Sequence, residues 1–346
     1  MNSKPIPISS KYPHNSLVSI PKWPTPFAKR PKATTITLNI NMRLLVGCRQ
    51  VPVVLLRSCW GASAGTIVHR DSRCREFSSQ QLDNPSYCTD LVKKYDHENY
   101  LCCLLLPKDL QRAAFAIRAF NVELAQVRDV VSEKKIGAMR LQFWKDTVER
   151  LLEAARYFRL SKRLFKRLVE ARAEQLERDG FQSIQEVELY AENTASTLHY
   201  LMLECLGVKN VHADHAASHI GKAQGVTTLL RAIPYHAQSR RVYLPLEIIV
   251  KHKVSQEDIM RGKAEKNIRD AVFEVATIAH RHLETARSFQ KDVPKKAFVA
   301  FLNTYPTDHY LKRLQAANFN VFDPKLQIRN STLPLYLWLQ KRRKKY

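Results

Sequence analysis

From Ser86 onward, apolar residues return every three or four positions and never settle into sustained alternation. Such spacing places them on one face of a helix, whereas a half-buried strand needs a period of two. Lys108 to Val130 carries Leu110, Ala113, Ala114, Ile117, Phe120, Leu124 and Val127 on a single stripe. Gly137 to Tyr157, Ser161 to Arg178, Ser183 to Leu206, His212 to Ile233, Lys266 to Phe289, Lys295 to Ala316 and the end of the chain behave alike. Asp214, Ser255 and Ser331 stand where helix caps are expected. The pattern predicts an all-α protein, one orthogonal helical bundle over residues 78–346.

Several function classes drop out. The nine glycines form no Gly-x-Gly-x-x-Gly and no Gly-Lys-Ser/Thr loop, so neither a dinucleotide nor a P-loop fold is indicated. The longest apolar run after residue 78, Leu101 to Leu106, falls far short of the roughly 20 residues of a spanning helix. Seven cysteines include no Cys-x-x-Cys pair, which argues against a zinc ribbon or redox motif.

The net charge of +24 brings nucleic acid and anionic membranes to mind. Residues 1–70 hold ten Lys or Arg and no acid, so removing them leaves 24 − 10 = +14. A segment that is basic, hydroxylated and free of acids has the composition of a mitochondrial transit peptide. Residues 42–60, with Arg43, Arg49 and Arg57 spaced through apolar residues, are its best amphipathic piece. Arg75-Glu76-Phe77-Ser78 resembles a matrix-peptidase site, which makes 1–77 a disordered leader and Ser78 the mature start. Much of the basicity then belongs to the leader. With no RRM, KH or zinc-knuckle signature, no nucleic-acid partner is expected.

The most informative stretch is Gly221 to Pro245, GKAQGVTTLLRAIPYHAQSRRVYLP. Ala223, Val226, Leu229, Leu230 and Ile233 line one helical face. Pro234, lacking an N–H, is expected to end or kink that helix. Arg240 and Arg241 lead into a short apolar strand or turn stopped at Pro245. This stretch resembles the second signature of the squalene/phytoene synthase family, which couples isoprenyl diphosphates head to head. Gly221, Ala223, Thr227, Leu230, Arg231, Arg241, Tyr243, Leu244 and Pro245 match its pattern. Leu106 to Ala113, Ala119-Phe120, Trp144, Tyr190-Ala191 and Ala195 extend the likeness over about residues 86–310.

The resemblance implies four aspartates in two motifs, paired one helical turn apart so that they share a face and hold Mg²⁺ against a diphosphate. Their positions here are Ala125, Asp129, Ala232 and His236, so three of the four carboxylates are missing. A second acid of the first motif is Gln126, and Gln175 also stands where an acid is usual. Alanine offers no ligand, and an imidazole nitrogen suits Mg²⁺ poorly, since that ion takes hard oxygen ligands. Glu123, two positions before Ala125, faces elsewhere. No catalytic residue, cofactor or metal is therefore expected. An active prenyl-diphosphate transferase would need relocated metal ligands.

Residues 119–127, 190–194 and 212–225 look like a non-catalytic animal branch of the same family, one that serves the biogenesis of mitochondrial respiratory complex I (NADH dehydrogenase). That likeness implies a matrix protein peripheral to the inner membrane, whose partners are complex I subunits or other assembly factors. The chain is shorter than the family between Trp144 and Phe165.

Three further groups have two readings each. Arg112, Arg128, Lys222, Arg231, Arg240 and Arg241 surround the altered motifs; they are either an anion cradle, for an anionic lipid head or a diphosphate, or ion-paired surface residues. His212, His215 and His219 have metal-ligand spacing on one helical face, and are read as cap and core histidines, as Phe143, Trp144 and Phe298 are read as core. At the end of the chain, Tyr336 and Trp338 beside five basic residues fit either a peripheral membrane contact or a packed final helix with a frayed tail.

Overall fold

A computed structural model describes residues 85–130, 133–154 and 160–346. The expected leader and its cut at Ser78 lie outside these residues, as does the 155–159 connection in the short region. Among the described residues all regular structure is helical, and the expected all-α bundle is what forms.

The order is α1 (Pro85–Tyr95), α2 (His97–Leu104), α3 (Lys108–Val130), α4 (Lys134–Ala154), α5 (Lys162–Glu177), α6 (Ile184–Ala191), a π turn (Glu192–Ser196), α7 (Thr197–Cys205) and α8 (Val211–Gln238). Then come α9 (Leu246–Lys251), α10 (Gln256–Met260), α11 (Lys266–Ser288), a 3₁₀ turn (Lys295–Phe301), α12 (Thr304–Ala316), α13 (Pro324–Gln327) and α14 (Leu333–Arg343). The stripe read on α3 is the buried one, apart from half-buried Leu110. The 183–206 stretch, read as one helix, is interrupted by the π turn.

Helix α8 is the pillar. Ala213, Ala216, Ala217 and Ile220 enter a core built with α1, α3, α5 and α7. Ala223, Val226, Leu230 and Ile233 enter a second core with α11 and α12. Alanines dominate the first half, so neighbouring backbones come close there. At the crossing with the π turn the approach is tight. A methyl added at Gly221 would fall on the Cα, N and Oγ of Ser196, and one at Gly225 would meet Ala191, whose Cα lies 3.0 Å away. Ser196 Oγ donates to Ser218 O at 2.9 Å, and Ser218 Oγ donates to Glu192 Oε2 at 2.6 Å.

Three expectations are corrected. Of the end or kink expected at Pro234, the end does not occur: α8 runs four residues further. The helix stops instead in a left-handed turn: Arg240 has φ 53°, its N–H reaches Ala237 O, and the Arg241 N–H reaches His236 O. That is the paired hydrogen-bond pattern of a Schellman end, with arginine where glycine is usual. Of the strand or turn expected at residues 242–245, the irregular turn is what forms. The α8 cap is Asn210, whose side chain accepts from Ala213 N, leaving Asp214 in the first turn. Ser255 does occupy the α10 cap position, but α14 is capped at Thr332 rather than Ser331, with Asn330 accepting from Thr332 N. Finally, Phe298 is buried and Trp144 packs edge-on against Phe120, but Phe143 is 59% exposed.

Gly221→Ala should therefore lower the stability of the fold by about 1–3 kcal/mol, the usual cost of overpacking, because backbone rather than a flexible side chain stands in the way. A thermal melt checks this, and an unchanged Tm would show the crossing to be looser than these contacts require.

Candidate functional site

The C-terminal end of α3 comes next to the end of α8 and the turn that follows it, through Asp129 on one side and Tyr235 and Arg241 on the other. Asp129 lies 3.5 Å from the Arg241 guanidinium, and Tyr235 shares a side-chain hydrogen bond with it. His236 packs edge-on against the Tyr243 ring at 4.4 Å, and Arg128 lies over the same ring at 5.4 Å. The Schellman turn is what swings Arg241 back over this end. Burial pushes the His236 imidazole below its ordinary pKa, and its Nδ1 is buried without a hydrogen-bond partner. A neutral imidazole in that setting is a packing group. Glu123 is engaged elsewhere, accepting from Tyr87 Oη at 2.5 Å. Among the described residues no three His, Cys, Asp or Glu side chains come together as a metal site.

The six basic residues are spread over the molecule. Arg128 donates to the carbonyls of Gln175 and Arg178 at 2.5 and 2.9 Å, closing the C-terminus of α5. Arg231 pairs with Glu98 of α2 at 2.8 Å and lies over the Tyr310 ring. Arg240 pairs with Glu257 at 3.0 Å, and Arg241 with Asp129. Arg112 is exposed near the start of α3, sixteen residues or about 24 Å from Arg128 along the helix. Lys222 is ten residues before Ala232 on α8, close enough to Glu192 to help hold that carboxylate ionised. Arg128, Arg231, Arg240 and Arg241 thus each have a protein partner.

Two clefts adjoin α8. The apolar one lies between Val187, Leu229, Ile233, Tyr243 and Val275. The polar one lies between Glu98, Gln224, Thr228, Arg231 and Thr307. In the polar cleft Asn99 Oδ1, Thr227 Oγ1 and Asn303 Oδ1 lack hydrogen-bond partners. The Arg231–Glu98 pair, which joins residues 133 positions apart, had no local signal in the sequence.

Beneath this cleft lies His199, fully buried. Its Nδ1 faces Ala300 O at 3.2 Å and its Nε2 lies 3.1 Å from both Asn303 Nδ2 and Gln224 Oε1. Burial, with Arg118 adding repulsion, pushes this imidazole down to about 3. The neutral ring therefore donates from Nδ1 and accepts at Nε2. On the far half of α8, the rings of His212, His215 and His219 gather around Phe289. His219 Nδ1 is 2.8 Å from His282 Nδ1, whose Nε2 is 2.8 Å from Glu188 Oε1. Burial and the His282 ring push His219 down to about 4. His282 and Glu188 come from other helices, and spacing on α8 alone did not reveal them.

Comparison with known proteins bears on this geometry. The sequence model of the squalene/phytoene synthase family matches residues 92–332. The chain is 51% identical over 278 residues to a Rattus norvegicus protein named NADH dehydrogenase (ubiquinone) complex I, assembly factor 6, covering 76% of this chain and 84% of the relative. The Homo sapiens protein of that name is 51% identical over 274 residues, covering 75% and 82%. A crystal structure of a dehydrosqualene synthase in complex with ligand superimposes with a TM-score of 0.65 at 17% identity, covering 76% of this chain and 97% of the other. At that identity the likeness speaks for the fold.

The polar core makes a pH prediction. An unfolded histidine titrates near 6.5, whereas His199 stays neutral to about 3. Below about pH 6.5 the unfolded chain takes up a proton that the folded chain refuses, so stability falls as pH drops through this window. By about pH 5 this residue alone accounts for a loss of about 2 kcal/mol. Urea unfolding at about pH 7.5 and pH 5 should show a smaller acid loss in His199→Gln than in the wild type. Equal losses would contradict a buried neutral imidazole.

Proposed function

The chain belongs to the squalene/phytoene synthase family, and from that premise we propose that it is a non-catalytic assembly factor for mitochondrial respiratory complex I, using a degenerate prenyl-synthase fold as a binding scaffold early in biogenesis. The observation that carries this reading is the fate of the four motif positions. Ala125 and Ala232 have no ligand atom, the half-buried His236 packs edge-on against Tyr243, and Asp129 is tied to Arg241 and Tyr235. Half of what would face a metal has become apolar, and the remaining carboxylate is neutralised by a fixed cation. Fold alone does not carry function, and here the altered site argues against the inherited chemistry.

The partners that follow are complex I subunits or other assembly factors, on the matrix side of the inner membrane with peripheral contact to it. Among the described residues no helix is long and apolar enough to cross a membrane. Residues 1–77 serve as the transit segment.

Cells lacking the protein should have less assembled complex I on native gels, and re-expressed Asp129→Ala should restore it to the wild-type level. Normal complex I in the deficient cells would sink the proposal.

A second prediction concerns catalysis. Ionising an isoprenyl diphosphate requires metal and cations to meet the departing charge, and each strong contact of that kind is worth about 3 kcal/mol, or on the order of a hundredfold in rate. Purified protein with labelled farnesyl or geranylgeranyl diphosphate and excess Mg²⁺ or Mn²⁺ should form no squalene or phytoene. Turnover that vanishes with chelator and with Asp129→Ala would restore the enzyme reading, with relocated ligands.

A further inference from the structure

The family match stops at residue 332, one residue before α14 begins. This helix is amphipathic in an unusual way. Leu333 and Leu337 are buried against Cys102 and Leu302, and fix the helix to the body. The opposite side leaves Leu335 58%, Tyr336 45% and Trp338 46% exposed. Leu335, Trp338 and Arg342 follow at spacings of three and four, so they share one outward stripe. The sequence from Leu333 to Tyr346 contains no acid, and Lys341, Arg342, Arg343, Lys344 and Lys345 are consecutive and all exposed. None of the five forms an ion pair among the described residues.

The basic run is not frayed. Lys344 takes a left-handed conformation with φ 50° and ψ 49°, which turns the chain back toward the body. Tyr346 then enters the core, 4% exposed, its ring 5.2 Å from Phe298 and 5.1 Å from Phe301 and its hydroxyl donating to Ala286 O at 3.2 Å. The backbone that carries the five cations is held between a docked helix and a buried anchor. The entropy of ordering that backbone is met by folding and not by the binding event.

We propose that α14 and this pinned run form a docking surface for an anionic phospholipid bilayer. Leu335 and Trp338 enter the headgroup region, and Lys341 to Lys345 lie along the lipid phosphates. The charge sign selects an anionic partner, and the side chains select lipid. An exposed leucine gains by entering an interface. A nucleic acid would need open aromatic faces for base stacking, but Tyr336 is stacked on Tyr305 at 5.1 Å and Arg342 lies over the Trp338 ring at 5.6 Å. The proposal deepens the peripheral membrane contact suggested above and rests on it.

The test uses the purified full chain and vesicles of phosphatidylcholine, with or without about one-fifth cardiolipin, a fraction that gives a strongly negative surface. Bromine-labelled acyl chains quench a tryptophan that enters the interface. The Trp338→Phe chain supplies the background from Trp23, Trp60 and Trp144. The wild type should show extra quenching, assigned to Trp338, on cardiolipin vesicles only. Replacing three charges together, Lys341→Gln, Arg342→Gln and Arg343→Gln, should lower partitioning roughly tenfold or more and abolish that quenching. Circular dichroism confirms that the variant is folded. Flotation without quenching of Trp338 would overturn the proposal, because contact would then run through another part of the chain. So would equal quenching on neutral vesicles, a triple variant that binds like the wild type, or capture by single-stranded RNA in place of vesicles. Vesicle binding is read on purified protein and complex I content in cells, so either result can fail without the other.

Discussion

The close approach of two backbones at Gly221 and Gly225, where α8 crosses the π turn and the end of α6, is the contact on which the rest depends. A side chain at either glycine would fall on Ser196 or Ala191 and push the two segments apart. The approach also lets Ser218 and Ser196 bond across the crossing and brings the Glu192 carboxylate under α8. Glu192 is held by Ser218, Tyr200 and Arg167. Those hydrogen bonds, helped by Lys222, outweigh the burial that would otherwise raise its pKa and keep it below the ordinary carboxylate range. Buried carboxylates are tolerated only when so fully partnered.

From this crossing α8 extends in both directions, and its far end delivers the altered motif to α3. Two ion pairs lie along this half of the helix and just beyond it: Arg231 with Glu98, and Arg241 with Asp129. Each such pair near the surface contributes little on its own, about 0–1 kcal/mol.

Helical periodicity made the long helices legible, because packing on one face demands it over many turns. Short helices such as α9, α10 and α13 were not, since five or so residues cannot display a period. Pro234 lacks the N–H that would bond Leu230 O, yet the helix continues through it to Gln238, with Ile233 and Ala237 on either side of it packed in the interior. Phe143 misled because a helical residue beside a core tryptophan can point outward, and type alone does not tell which. The altered motifs were visible residue by residue, but their neutralising partners were not. Glu98 meets Arg231 across 133 positions, and the His219–His282–Glu188 chain needs three helices. The pinning of the basic run by Tyr346 depends on one left-handed lysine, which no pattern of residue types announces.

The π turn has one more implication, which concerns counting. A π turn holds one residue more than an α turn, so the chain before Glu192 is rotated by about 100° relative to an uninterrupted helix. Glu188 and Tyr190 on one side, and His199 and Leu203 on the other, therefore belong to faces that a helical wheel drawn through 184–205 would misalign. Removing a single residue from 192–196 would leave an uninterrupted helical register, yet it would turn Glu188 away from His282 and Tyr190 away from Arg172. In this stretch length itself is under constraint: a one-residue deletion costs more than most substitutions, and an alignment that places a gap there has mistaken the phase of the helix for a difference in sequence.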